Sequence, residues 1–107
     1  MFRVFTTKEF DDNFNSLDES QKKRVRKILN QIREQGENVG KPLKVNYFRE
    51  KKFDEKRLYF LSYKDSLIIL ALAISDKKTQ QETINEILSN IENYKEFISR
   101  KLKELQD

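Results

Sequence analysis

Residues Phe2 to Thr6, with Arg3 between Phe2 and Val4 and Thr6 after Phe5, follow the strand manner of alternation, which predicts a first or edge strand. The period then lengthens. Thr7 is placed to cap a helix over Lys8 to Leu17 with Phe10, Phe14 and Leu17 along one side. Asp18 or Ser20 is placed to cap a second helix striped by Val25, Ile28, Leu29 and Ile32. Gly36 reads as the C-terminal cap of this helical hairpin. Both glycines and the single proline fall between Gly36 and Pro42, the sharpest punctuation in the chain.

Beyond it, three strands are predicted, at about Leu43–Phe53, Arg57–Tyr63 and Leu67–Ser75. The joins at Asp54–Lys56 and Lys64–Asp65 are short enough for an antiparallel meander. The third strand is apolar on both faces, so it belongs at the centre of the sheet with helices over at least one side. From Thr79 the spacing is helical again: Ile84, Ile87, Leu88, Ile91, Tyr94, Ile98, Leu102 and Leu105 keep one face apolar. Unbroken, that helix is about 40 Å long at 1.5 Å per residue, longer than a sheet of this size needs. The pattern predicts an α+β fold in one domain, 1–107, with 89–107 as a C-terminal helical extension. Its apolar stripe must be buried on the chain's own sheet, on a second copy to make a homodimer, or in a partner groove.

Charge sharpens this picture. The net charge is only +4, but residues 41–58 hold seven cations against three anions, while 79–107 hold four against six. A basic segment interleaved with aromatics suits a polyanionic partner. With no cysteine and no histidine in the chain, thiolate nucleophiles, Cys-based zinc sites and the commonest general base are excluded. Chemistry then falls to Lys, Arg, Tyr, Asp and Glu. No apolar run approaches membrane-spanning length and the N-terminus is no signal peptide, so the expected location is the cytoplasm, with no membrane association. No cofactor and no metal site is expected. Lys or Arg on an exposed strand also protects a sheet edge from pairing, and Tyr59 and Phe60 also suit a core.

The ordered set Gly40–Leu43, Phe48–Lys52, Lys56–Phe60 and Leu72–Lys78 resembles the RelE/ParE superfamily of toxins from toxin–antitoxin pairs, over about Phe2 to Leu88. The resemblance implies a RelE-like fold: an antiparallel-rich sheet of an N-terminal strand plus a three-strand meander, an N-terminal helical hairpin and a long C-terminal helix. It implies the toxin of a type II pair, a ribosome-dependent, metal-independent endoribonuclease that cuts mRNA by attack of the ribose 2′-hydroxyl. Its partners would be a cognate antitoxin, the ribosome and mRNA. Fixed guanidinium and ammonium groups can stabilise the charge that builds on the phosphoryl oxygens without His or metal.

On the matching positions, the resemblance assigns Arg57 to the scissile phosphate, with Lys52 across the hairpin. Lys77 or Lys78 would stabilise the transition state. Lys41, Lys44, Arg49, Lys51, Lys56 and Tyr59 are the expected RNA contacts. Strand alternation puts Arg49 and Lys51 on one face and Lys52 on the other unless a bulge intervenes. Where some active relatives carry a tyrosine on the last helix, this chain, allowing one gap, has Ile84. The alternative reading is a ParE-like or degenerate, non-nucleolytic member that binds a protein target or its antitoxin, or a nucleic-acid-binding regulator.

Overall fold

In the computed structural model, which describes residues 1–106, five strands form one mixed sheet of order β1-β5-β4-β3-β2. These are β1 (Arg3–Thr6), β2 (Lys41–Leu43), β3 (Val45–Phe53), β4 (Lys56–Tyr63) and β5 (Ile68–Asp76). β1 runs parallel to β5 at one edge, and every other pairing is antiparallel. The helices are α1 (Lys8–Asn15), α2 (Glu19–Gln35), α3 (Gln80–Ser89) and α4 (Ile91–Gln106).

Local chemistry sets the helix ends. The Thr7 hydroxyl accepts from the Phe10 N–H at 3.0 Å, starting α1. Asp18 rather than Ser20 caps α2, in a reciprocal box: its carboxylate accepts from the Gln21 N–H at 2.7 Å, while the Gln21 side chain accepts from the Asp18 N–H at 3.2 Å. α2 ends at Gly36, whose φ of +55° and close approach to the Phe2 ring both exclude a side chain.

Every residue of β5 from Ile68 to Ser75 is buried, because the sheet is covered on both faces. On one face Phe10, Val25, Ile28 and Ile32 pack against Phe53, Leu58, Phe60, Ile69, Ala71 and Ile74. On the other, Ile84, Ile87 and Ile98 pack against Phe48, Tyr59, Leu61, Leu70, Leu72 and Ala73. Leu72 and Ala73 adjoin in sequence yet join the same cluster. A register shift between β4 and β5, with Tyr59 opposite Ala73 but Phe60 opposite Ala71, absorbs one residue of β5 there and restores the alternation on either side.

Two expectations are corrected. The first meander strand is not one run from Leu43: Lys44 takes a left-handed conformation (φ +42°), and Lys41–Leu43 folds back as an edge strand on β3, with Lys41 opposite Glu50. The final helix is not continuous either. The Asn90 N–H turns to the Ile87 carbonyl and its side-chain amide donates to the Glu86 carbonyl at 2.8 Å, ending α3 before α4 begins. The break lets α4 lay Ile98, with Tyr94, Phe97 and Leu102 partly buried, onto the same core as α3.

Candidate active site

The β3–β4 hairpin turns at Asp54 and Glu55, Asp54 being left-handed at φ +51°. Its register is regular from Phe48 to Phe53, which settles the alternation: Lys52 lies opposite Arg57 and Glu50 opposite Tyr59. Since Phe48, Tyr59 and Leu61 belong to the α3–α4 face, Glu50, Lys52 and Arg57 belong to that face too. Lys41, opposite Glu50, joins them from β2. Arg49 and Lys51 alternate to the α2 face with Phe53.

A polar cluster is built into this end of the sheet. Glu50 is 2% exposed; one carboxylate oxygen accepts from the Gln80 amide at 2.9 Å, and the other sits 3.6 Å from the Lys41 ammonium with no hydrogen-bond donor. Arg57 is 5% exposed, its Nη1 reaches the Glu55 carbonyl at 3.4 Å, and its Nε is buried without a partner among the described residues. Arg57 also pairs with Ser75, whose hydroxyl lies 2.8 Å from the Tyr59 hydroxyl and donates to the Asp76 carbonyl. Asp76 accepts from both the Thr79 N–H (2.9 Å) and its hydroxyl (3.0 Å), which fixes the turn into α3; those bonds, with Lys56 nearby, hold its carboxyl below the ordinary aspartate range. Lys77 and Lys78 stand exposed in this turn, one and two residues beyond the end of β5, where Asp76 pairs with Lys56.

Lys52, Arg57, Lys77 and Lys78 therefore lie toward the same end of the sheet. Of the expected RNA contacts, Lys41 is on the same face and Lys56 at the same end on the opposite face. Lys51 lies on the α2 face. Lys44 stands in the hinge between β2 and β3. Arg49 is occupied: its Nε donates to the Val39 carbonyl (3.0 Å) and its Nη2 to that of Gly40 (2.9 Å), pinning the loop that precedes β2. Tyr59 is fully buried, and burial is the first cause that raises its phenol pKa. Its ring packs beside Phe48, so it offers no face to a base and is corrected from RNA contact to core residue.

Ile84, in place of the relatives' tyrosine, is also in the core. Tyr63, six residues beyond Arg57 on β4, is roughly 20 Å away along the strand and does not serve this end. In the sequence Glu50 stands interleaved with Arg49, Lys51 and Lys52, which suits no more than an ion-pair partner. The bond to Gln80, thirty positions away, had no signal in the sequence. The cations of α2 beside Lys51 are not among the residues that the sequence pattern singles out.

No protein-family model matches the sequence, and no curated protein matches it. Solved structures do match. A chain of the RelBE2 toxin–antitoxin complex from Mycobacterium tuberculosis is 15% identical with a TM-score of 0.62, covering 71% of this chain and 98% of that one. The fold is RelE-like. The isolated Escherichia coli RelE toxin gives 11% identity and a TM-score of 0.62 over 81% of this chain and 99% of that one. A chain of the intact E. coli RelBE complex gives 10% and 0.63 over 71% and 96%. At these identities the likeness is one of RelE-like architecture, and the site rests on the residues described above.

Proposed function

We propose that the protein is the toxin of a type II toxin–antitoxin pair, a ribosome-dependent endoribonuclease acting on mRNA. The observation that carries this reading is the direct cross-strand pairing of Lys52 with Arg57 at the sheet end where Lys77 and Lys78 follow β5. In the proposed reaction the ribose 2′-oxygen attacks the adjacent phosphorus, the bond to the 5′-oxygen breaks, and a 2′,3′-cyclic phosphate and a free 5′-hydroxyl result. The 2′-hydroxyl proton leaves to a base, and the departing oxygen takes one up. Charge accumulates on the non-bridging oxygens, where Arg57 and Lys52 act. Lys77 or Lys78 serves the same charge from the α3 turn.

Arg57 is preorganised by its strand and by Glu55, and has donor capacity to spare. Because it is nearly covered, a phosphate reaches it only after side chains at the rim move aside. That fits a toxin whose site is completed on the ribosome. The antitoxin would neutralise it by covering this cationic end. Among the described residues no helix is long and apolar enough to cross a membrane, which accords with action on ribosomes in the cytoplasm.

The burial of Arg57 and the core position of Ile84 favour one other reading, a non-nucleolytic member that binds its antitoxin or another protein target. Controlled expression in bacterial cells, with genome-wide mapping of new mRNA 5′ ends, separates the two. New ends within translated frames, absent with Arg57→Ala, support the nuclease. Growth arrest with an unchanged set of ends supports the binder.

A further inference from the structure

We propose that the trough between α2 and β3 is a second polyanion-binding surface, which carries the sugar–phosphate backbone of single-stranded RNA round the open edge of the sheet toward Lys52 and Arg57. The inference rests on the RNA reading above and extends it to the opposite face. The trough is walled by Lys23, Arg24, Lys27 and Gln31 on α2 and by Lys51 and Lys52 on β3, over a floor of Ile28 and Phe53. Its lining holds five cations and no carboxylate, although the chain as a whole has nearly as many acids as bases.

Two features make this more than a solvated helix face. Lys23, Lys27 and Gln31 recur at intervals of four, so they form one rail along α2. Lys51 faces them from the sheet, whose α2 side it shares with Phe53. The second feature is the edge: β2 stops pairing with β3 at Glu50, so Lys51, Lys52 and Phe53 lie at an uncovered strand end. Lys52 lines the trough and also stands opposite Arg57. A continuous cationic track therefore joins the two faces. Edge protection accounts for Lys51 and Lys52 but gives no reason for Lys23 and Lys27. Nearby acid does not fill the trough: Asp54 pairs with Arg24 at 2.9 Å and leaves the lysines unmatched.

The test is fluorescence anisotropy of a labelled single-stranded RNA, roughly twelve nucleotides long, measured with the full chain across about 50 to 200 mM salt. Lys23→Gln/Lys27→Gln is compared with wild type and with Lys95→Gln/Arg100→Gln, which removes the same charge from the exposed face of α4. Circular dichroism establishes that each variant is folded. The trough variant is expected to weaken binding about tenfold or more and to lower the log–log salt slope by about 1.4, two contacts at about 0.7 each. The α4 variant should retain the wild-type slope. An unchanged affinity and slope in the folded trough variant overturns the proposal, as does an equal loss in the α4 variant. So does selective binding of a poly-glutamate peptide that RNA fails to displace. Failure of the nuclease reading is distinguishable: wild type that cuts no transcript while the trough variant loses RNA binding leaves the second surface standing.

Discussion

Lys52 and Arg57 are directly paired across the β3–β4 hairpin on the face that carries α3 and α4. Like charges on directly opposed strand positions are unfavourable, and a dianionic phosphoryl group bound at this end would relieve that repulsion. Arg57→Ala is expected to lower cleavage about 10² to 10³-fold, the loss typical of one preorganised donor to a transition-state oxyanion. Lys52→Ala should cost less, and the two losses should be non-additive when combined, since both groups address one phosphate. Single-turnover cleavage on programmed ribosomes measures all three; strict additivity would show that the two side chains act on different groups.

Glu50 is buried on the same face of β3 and is tied to Gln80 and Lys41. Replacing it with alanine leaves the Gln80 amide without its acceptor and the Lys41 ammonium without its counter-charge, so Glu50→Ala is expected to lose about 1–3 kcal/mol of stability. Glu50→Gln keeps a carbonyl for Gln80 and should lose less. Urea denaturation reads both, and a midpoint in Glu50→Ala equal to wild type would show the buried carboxylate to be dispensable.

Much of this architecture was legible because local and global signals agreed. Thr7, Asp18 and Gly36 mark helix ends through backbone chemistry that needs no tertiary context, and the unbroken apolar run of β5 implied a central strand. The misreadings lie where backbone geometry overrides pattern. The left-handed turn at Lys44 folds a short edge strand back on β3, and Asn90 ends a helix whose apolar stripe runs on undisturbed from Leu88 to Ile91. For the site, alternation alone separated Lys52 from Arg49 and Lys51 once no bulge intervened. The capture of Arg49 by the Val39 and Gly40 carbonyls and the tie from Glu50 to Gln80 depend on how distant segments meet, which no spacing encodes.

Tyr63 predicts an alkaline response. Burial, followed by the neighbouring Tyr47, Glu92 and Tyr94, pushes its phenol up to about 12. A folded-state value above the unfolded one means that its contribution to stability is fully present below the ordinary tyrosine value of about 10 and is lost as pH rises toward 12. Among the described residues its hydroxyl has no hydrogen-bond partner, so Tyr63→Phe should change stability at neutral pH by less than about 0.5 kcal/mol and flatten the loss above pH 10. Thermal melts at stepped pH check this, and equal alkaline loss in both proteins would assign the response elsewhere.

Removal of α4 tests where its apolar stripe is buried. Ile98 is 4% exposed within the core that also contains Leu61 and Leu70, so a chain ending after Leu88 should melt far lower or fail to fold. The intact chain should run as a monomer in analytical ultracentrifugation, as expected when the stripe is spent on its own sheet. A truncated chain with an unchanged melting temperature would place the stripe's partner outside the molecule.

The proposed function has this cationic sheet end cut mRNA on the ribosome. The most direct measurement adds purified wild-type protein to ribosomes programmed with a defined transcript, across a panel of A-site codons, and analyses the new RNA ends. Cleavage is expected within the A-site codon, with a 2′,3′-cyclic phosphate on the upstream fragment and a loss of about 10² to 10³-fold with folded Arg57→Ala. No cleavage at any codon by wild-type protein, or cleavage that folded Arg57→Ala performs equally well, would contradict it.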